Sequence, residues 1–218
     1  MANYKPAAIG LALAFIGGCS TNLELVSPND ALPGYFPVSS GAPVPYLFQG
    51  SAVQWNRHYA VSAAHIPLLA NVVHRCSSGC DLVFIRRDAD GPLPTWRPSV
   101  VGEPLETVGQ SPLLLLVKGS GTSRAQKVLL NKQSDTTAYA INDAPVVEGM
   151  SGGPVYGKDR AVVGMTVGIF QPQVPLPAPL QNKKLSVYVP YEIVQREWQL
   201  FMERQNARLP RQDKAQES

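Results

Sequence analysis

Short apolar or alternating runs closed by turn residues recur along this chain. "YLFQGSAVQWNRHYAVSAAH" reads as two strands around the polar turn "WNRH", and "ANVVHRCSSGCDLVFIRR" as a second hairpin that turns at Ser77, Ser78 and Gly79. "DADGPLPTWRP" then breaks the pattern and marks a junction between two halves near residues 88–104. Beyond it, "EPLETVG", "SPLLLLVKGSG", "AQKVLLN", "TTAYAIND", "AVVGMTVGIF" and "LSVYVP" each read as a strand or strand pair, with "QPQVPLPAPLQNKK" as a proline-rich loop before the last. There is no alternation of strand and helix patterns, so the expectation is an all-β sandwich or barrel. From Tyr191 the period changes. Ile193, Val194, Trp198, Leu200, Phe201 and Met202 share a partly continuous face, which predicts a C-terminal amphipathic helix packed on the domain, with Pro210 and a polar tail ending it.

The N-terminal pattern is of another kind. Lys5, an apolar stretch from Ala7 to Ile16, and Gly17-Gly18 before Cys19 form an export signal over residues 1–18, too short for a confident spanning helix. Ile16-Gly17-Gly18-Cys19 resembles the bacterial lipoprotein box, in which the cysteine is lipidated and becomes the mature N-terminus. The alternative is ordinary cleavage with Cys19 a bystander. Lipidation is the favoured reading, and Ser20 after the cysteine resembles the signal for the outer membrane. The expected location is therefore the cell envelope, facing the periplasm or the cell surface. Residues 19–45, rich in Pro, Ser, Gly and Asn, read as a flexible spacer, with the ordered domain spanning 46–190 and the helix and tail 191–218.

Composition changes this picture little. The 218 residues are 44% hydrophobic and 16% charged, enough for a substantial core, and 20 prolines with 18 glycines suit a chain that turns often. The net charge of +3 comes largely from the C-terminal segment, which reads as a solvated helix face and not a nucleic-acid surface. Export implies an oxidising compartment, so Cys76 and Cys80, flanking Ser-Ser-Gly, read first as a small-loop disulfide. A metal site is the second reading, a poor one because no ligand pair lies nearby.

Chemistry concentrates in "EGMSGGPVYG", residues 148–157. A serine used for acyl transfer needs a base, a group that orients the base, and donors for the developing oxyanion. Ser151 sits between glycines, so the N–H groups of Gly149 and Ser151 can point toward one oxygen. The chain has three histidines, and His65 ends a strand in "YAVSAAH", where two alanines allow close packing under the imidazole.

"GSAVQWNRHYAVSAAH" followed by "GMSGGP" resembles the trypsin-like serine peptidases of the chymotrypsin fold. The resemblance covers about Tyr46 to Pro190 and implies two antiparallel Greek-key β-barrels with the active site in the cleft between them. It also implies the chain order His, Asp, Ser for the catalytic residues. Asp81, opening the apolar run after Cys80, matches the aspartate, although only fifteen residues separate it from His65, fewer than in most relatives. Asp88 and Asp90 follow in a loop-like stretch, and a turn cap is the plain structural alternative for Asp81. Where digestive relatives carry an acid before the serine, this chain has Met150, which implies a loop that forms without zymogen trimming. Thr166, Val167 and Gly168 match the strand beside the substrate. Pro145 replaces the acid that selects basic residues, which implies a small or apolar preference. The reading is a serine endopeptidase acting on protein or peptide substrates without metal or cofactor. The competing class is a non-catalytic binding or assembly protein on the same fold.

Overall fold

The computed structural model describes residues 23–41, 47–130, 135–170 and 185–208. The alternating runs of the first half become one antiparallel sheet: β2 (Tyr35–Ser40), β3 (Phe48–Gln54), β4 (Tyr59–Ser62), β5 (Val72–Arg75) and β6 (Val83–Arg86), in the spatial order β2-β3-β4-β6-β5. The second half contains β7 (Pro104–Gln110), β8 (Leu116–Leu129), β9 (Ala138–Asn142), β10 (Pro154–Gly157), β11 (Val162–Phe170) and β12 (Leu185–Pro190). These run β8-β7-β10-β11-β12-β9, and β9 pairs back onto β8, closing a six-stranded barrel. A three-residue strand, β1 (Leu23–Leu25), joins β8 from outside, and α1 (Tyr191–Arg208) follows the barrel directly. The fold is all-β with one C-terminal helix, in a chymotrypsin-like arrangement of two β-units.

One continuous core joins the halves. Val53, Val61, Leu82 and Phe84 from the first sheet meet Val108, Tyr139, Ile141, Tyr156 and Met165 from the barrel, with Val194 of the helix. Burying such side chains is the main driving force for holding two sheets face to face. Aromatic rings seal the join between sheet and helix. Trp198 packs on Tyr59 and Phe84 at centroid distances of 5.0 and 5.4 Å, and Phe201 lies 5.6 Å from Tyr59.

Several elements depart from the expected boundaries. β1 and β2 fall inside the stretch read as spacer, so ordered structure begins ahead of Tyr46. Phe36 packs in the core and Tyr35 and Val38 pack against it, while Pro37, which argues against a strand, is tolerated because β2 is the sheet's outer strand. β8 is a single 14-residue strand where two were read. Its first half pairs with β7 and its second with β9, with a register shift between Ser123 and Lys127. β10 was not singled out as a strand at all. Its four residues are all buried, and a fully buried strand shows no alternation. On α1 the buried residues are Val194, Glu197 and Phe201, whereas Met202 of the expected apolar face is exposed. The proline-rich stretch 171–184, the signal segment and Cys19 lie outside the described residues.

Candidate active site

His65 follows β4 across the buried Ala63, and its position is fixed twice by one partner. Its backbone N–H donates to Asp81 Oδ1 at 2.8 Å, and its Nδ1 lies 2.5 Å from Asp81 Oδ2. The imidazole side chain is 44% exposed and the carboxylate 2%, so the pair presents an open ring on a buried carboxyl group. The trimmed hairpin therefore does bring Asp81 to His65. The alternative aspartates go elsewhere: Asp88 pairs with His58 at 2.7 Å on the surface, and Asp90 with Arg87 at 2.6 Å. The third histidine, His74, is buried against Glu197.

Asp81 is held from both sides. Cys76 and Cys80 are disulfide-bonded in the turn just before it, which takes both thiols out of metal chemistry. Its amide N–H donates to the hydroxyl of Tyr139 on β9 at 2.8 Å, and that hydroxyl donates in turn to Asp135 Oδ2 at 2.5 Å. Burial and the Asp135 carboxylate push the Tyr139 phenol well above its ordinary pKa, so it stays protonated and keeps donating.

Ser151 stands on a loop stitched to both halves. Gly149 and Gly152 have φ of +85° and +87°, a region that favours glycine, and a Cβ on Gly149 would lie 2.6 Å from Gln110 O. Ser51, fully buried on β3, crosses from the first half. Its N–H donates to Ser151 O at 2.8 Å and its Oγ donates to Gly149 O at 2.9 Å while accepting from Gln110 N at 3.0 Å. From the other side Gly152 N donates to Thr166 O, and Thr166 N to Gly153 O, each at 2.8 Å. The Met150, Gly152 and Gly153 N–H groups all have protein acceptors. Among the described residues those of Gly149 and Ser151 have none. Met150 itself is fully buried with Val117 and Val146, and Leu23 of β1 packs against that cluster. An apolar contact thus occupies the place where an acid was missing from the motif.

His65, Gly149 and Ser151 line one open cavity of about 340 Å³, with Phe48, Ile66 and Glu148 on its walls. The Ser151 hydroxyl does not donate to His65 in this structure. It donates to Val167 O at 3.0 Å. Of the expected substrate-strand residues, Thr166 has a buried side chain and both main-chain groups engaged with the serine loop, so it holds that loop. Val167 and Gly168 lie beyond the point where β10 stops pairing with β11, at Met165. Pro145 lies over the barrel wall, its carbonyl accepting from Thr107 Oγ1 at 3.3 Å. Sequence reading missed Ser51 and Tyr139, whose partners lie far along the chain, and Asp135, which matters only through Tyr139.

The two β-units, with the histidine–aspartate pair on one and the glycine-bound serine loop on the other, are arranged in the trypsin-like fold. The chain is similar in structure to HtrA-type protease AlgW solved with a tripeptide, at TM-score 0.64 and 17% identity, covering 80% of this chain and 62% of that one. It is also similar to a serine endoprotease from Yersinia pestis, at TM-score 0.60 and 16% identity, covering 79% and 64% respectively. The chain thus spans less than two thirds of the length of these proteins. No family model and no curated protein matches it by sequence.

Proposed function

We propose that the protein is a serine endopeptidase. Ser151 Oγ attacks the scissile carbonyl while His65 takes its proton, then returns it to the leaving amine. Asp81 fixes the tautomer and orientation of the imidazole, and the Gly149 and Ser151 N–H groups receive the oxyanion. The observation that carries this reading is the double hydrogen bond of His65 to a buried Asp81 at the rim of the cavity that also holds Ser151. The substrate strand adds along β11 at Val167 and Gly168, where β10 no longer pairs. Met150 supports a loop that forms without N-terminal trimming, because its burial supplies by apolar packing what an ion pair would supply otherwise.

The non-catalytic reading rests on one observation, the Ser151 hydroxyl directed at Val167 O. The peptidase reading requires the hydroxyl to leave Val167 O and donate to His65. A fluorophosphonate probe separates the two. Wild-type protein is expected to be labelled covalently, and Ser151→Ala and His65→Ala are not; an unlabelled wild type with native folding overturns the peptidase reading. The envelope location rests on the export signal and the lipoprotein-like box at Cys19. Cells fed radiolabelled palmitate are expected to label the wild-type chain and not Cys19→Ala. Equal labelling of both would reject the anchor.

A further inference from the structure

The buried face of α1 carries one charged residue. Glu197 is fully buried between Val194 and Phe201, a costly place for a carboxylate unless every lone pair is used. Here they are used. Oε2 accepts from Ser77 N at 2.8 Å and from His74 Nε2 at 3.1 Å, and Oε1 from Ser77 Oγ at 2.9 Å and Arg196 Nη2 at 3.0 Å. Burial alone would raise the carboxyl pKa, yet these bonds hold it below its ordinary value, which favours the ionised acceptor.

Docking the helix does not need this group, since Trp198 and Phe201 already pack on Tyr59 and Phe84. Glu197 instead grips Ser77 through both main chain and side chain. Ser77 is itself exposed, and it belongs to the disulfide turn that leads directly into Asp81. The neighbouring Ser78 adds weaker ties to Arg196 Nη2 at 3.2 Å and to Thr137 Oγ1 at 3.1 Å. We propose that Glu197 is a positioning residue for the site: by clamping the 76–80 turn to the C-terminal helix it sets the approach of Asp81 to His65. The inference rests on the peptidase reading for its kinetic consequence, though not for its geometric one.

Two substitutions separate clamping from simple helix docking. In Glu197→Gln the amide oxygen keeps Ser77 N and His74, the Ser77 hydroxyl can rotate to accept from the amide N–H, and only the half-exposed Arg196 loses its acceptor there while keeping Ser78 Oγ; Glu197→Leu fills the space with no acceptor. With a fluorogenic peptide chosen from a casein digest, Glu197→Gln should keep kcat within about threefold of wild type, and Glu197→Leu should lower it by about tenfold or more with KM nearly unchanged. The second readout is independent of turnover. A proton held between His65 Nδ1 and Asp81 Oδ2 gives a low-field ¹H NMR signal. That signal should remain sharp in Glu197→Gln and broaden or vanish in Glu197→Leu, also in a Ser151→Ala background. A folded Glu197→Leu protein with unchanged kcat and unchanged signal overturns the clamp. If that variant does not fold, Ser77→Ala at the exposed end decides: a kcat loss of about threefold with a weakened signal supports the clamp, and no change in either overturns it. If wild type hydrolyses nothing while the signal still responds to Glu197→Leu, the clamp stands and the peptidase reading falls.

Discussion

Asp81 is the residue on which the site's geometry converges. Each of its carboxylate oxygens meets a different nitrogen of His65, and its amide is fixed by a tyrosine from the opposite half of the molecule. Removing the Tyr139 hydroxyl would take one hydrogen bond from each of two buried groups, the Asp81 N–H and one oxygen of Asp135. Tyr139→Phe is therefore expected to destabilise the fold by about 1–3 kcal/mol, the usual effect of taking hydrogen bonds from buried polar groups. Urea unfolding measures this. On the peptidase reading, losing the Tyr139 bond to the Asp81 amide should also lower kcat in the fraction that remains folded. Because the phenol is held protonated by burial, both losses should be constant across neutral pH. A variant as stable and as active as wild type would show that the Tyr139–Asp81 bond is incidental.

At the scale of elements, the local pattern revealed whatever depended on near neighbours. β3 and β4 are mostly buried, but they flank the polar turn "WNRH" and so were visible as a pair. The candidate serine and histidine stood out only as a pair, the glycine-bound Ser151 following the alanine-flanked His65, and Asp81 only through the resemblance that the pair carries. What stayed hidden depended on distant partners. β10 is buried on both faces and has no period. Pro37 hides β2, because only the finished sheet shows that β2 is an outer strand. Glu197 reads as part of a solvated helix face, and only Ser77, 120 residues earlier, turns that position into a buried acceptor. Ser51 looks like any serine in a strand until Gly149 and Ser151 arrive from the other half to meet it. The candidate site was legible in its serine and histidine motifs and illegible in its supports, since the motifs are local and the supports are set by tertiary contact.

At the scale of the whole molecule, the candidate site exists only while the halves are joined, with His65 and Asp81 on the first unit and Ser151 on the second. Four carboxylates held by cationic or backbone donors share one property. Glu197 ties the helix to the 76–80 turn. Glu103 and Asp159 both pair with Arg97 in the connection between halves, at 2.8 and 2.7 Å, and Asp30 ties the N-terminal segment to Lys118 of β8 at 2.9 Å. All four titrate below their ordinary values. In Asp159 the Arg97 hydrogen bond brings the carboxyl to about 2, and in Asp30 the Lys118 hydrogen bond leads the downward shift. In Glu103 and Glu197 burial opposes the shift and hydrogen bonds outweigh it. A carboxyl whose folded pKa is depressed binds fewer protons folded than unfolded, so its stabilisation is fully present above the unfolded value of about 4 and is lost as pH falls toward the folded value. Thermal melting followed by circular dichroism should therefore show a Tm nearly flat from neutral pH to about 4.5, then a steep fall toward about pH 2. Arg97→Met removes the partner of two of these groups at once. It should lower Tm at neutral pH and flatten the acid fall, bringing the two curves together near pH 2. A wild-type Tm that stays level down to that pH, or an Arg97→Met curve parallel to it throughout, would mean that these ties do not stabilise the fold.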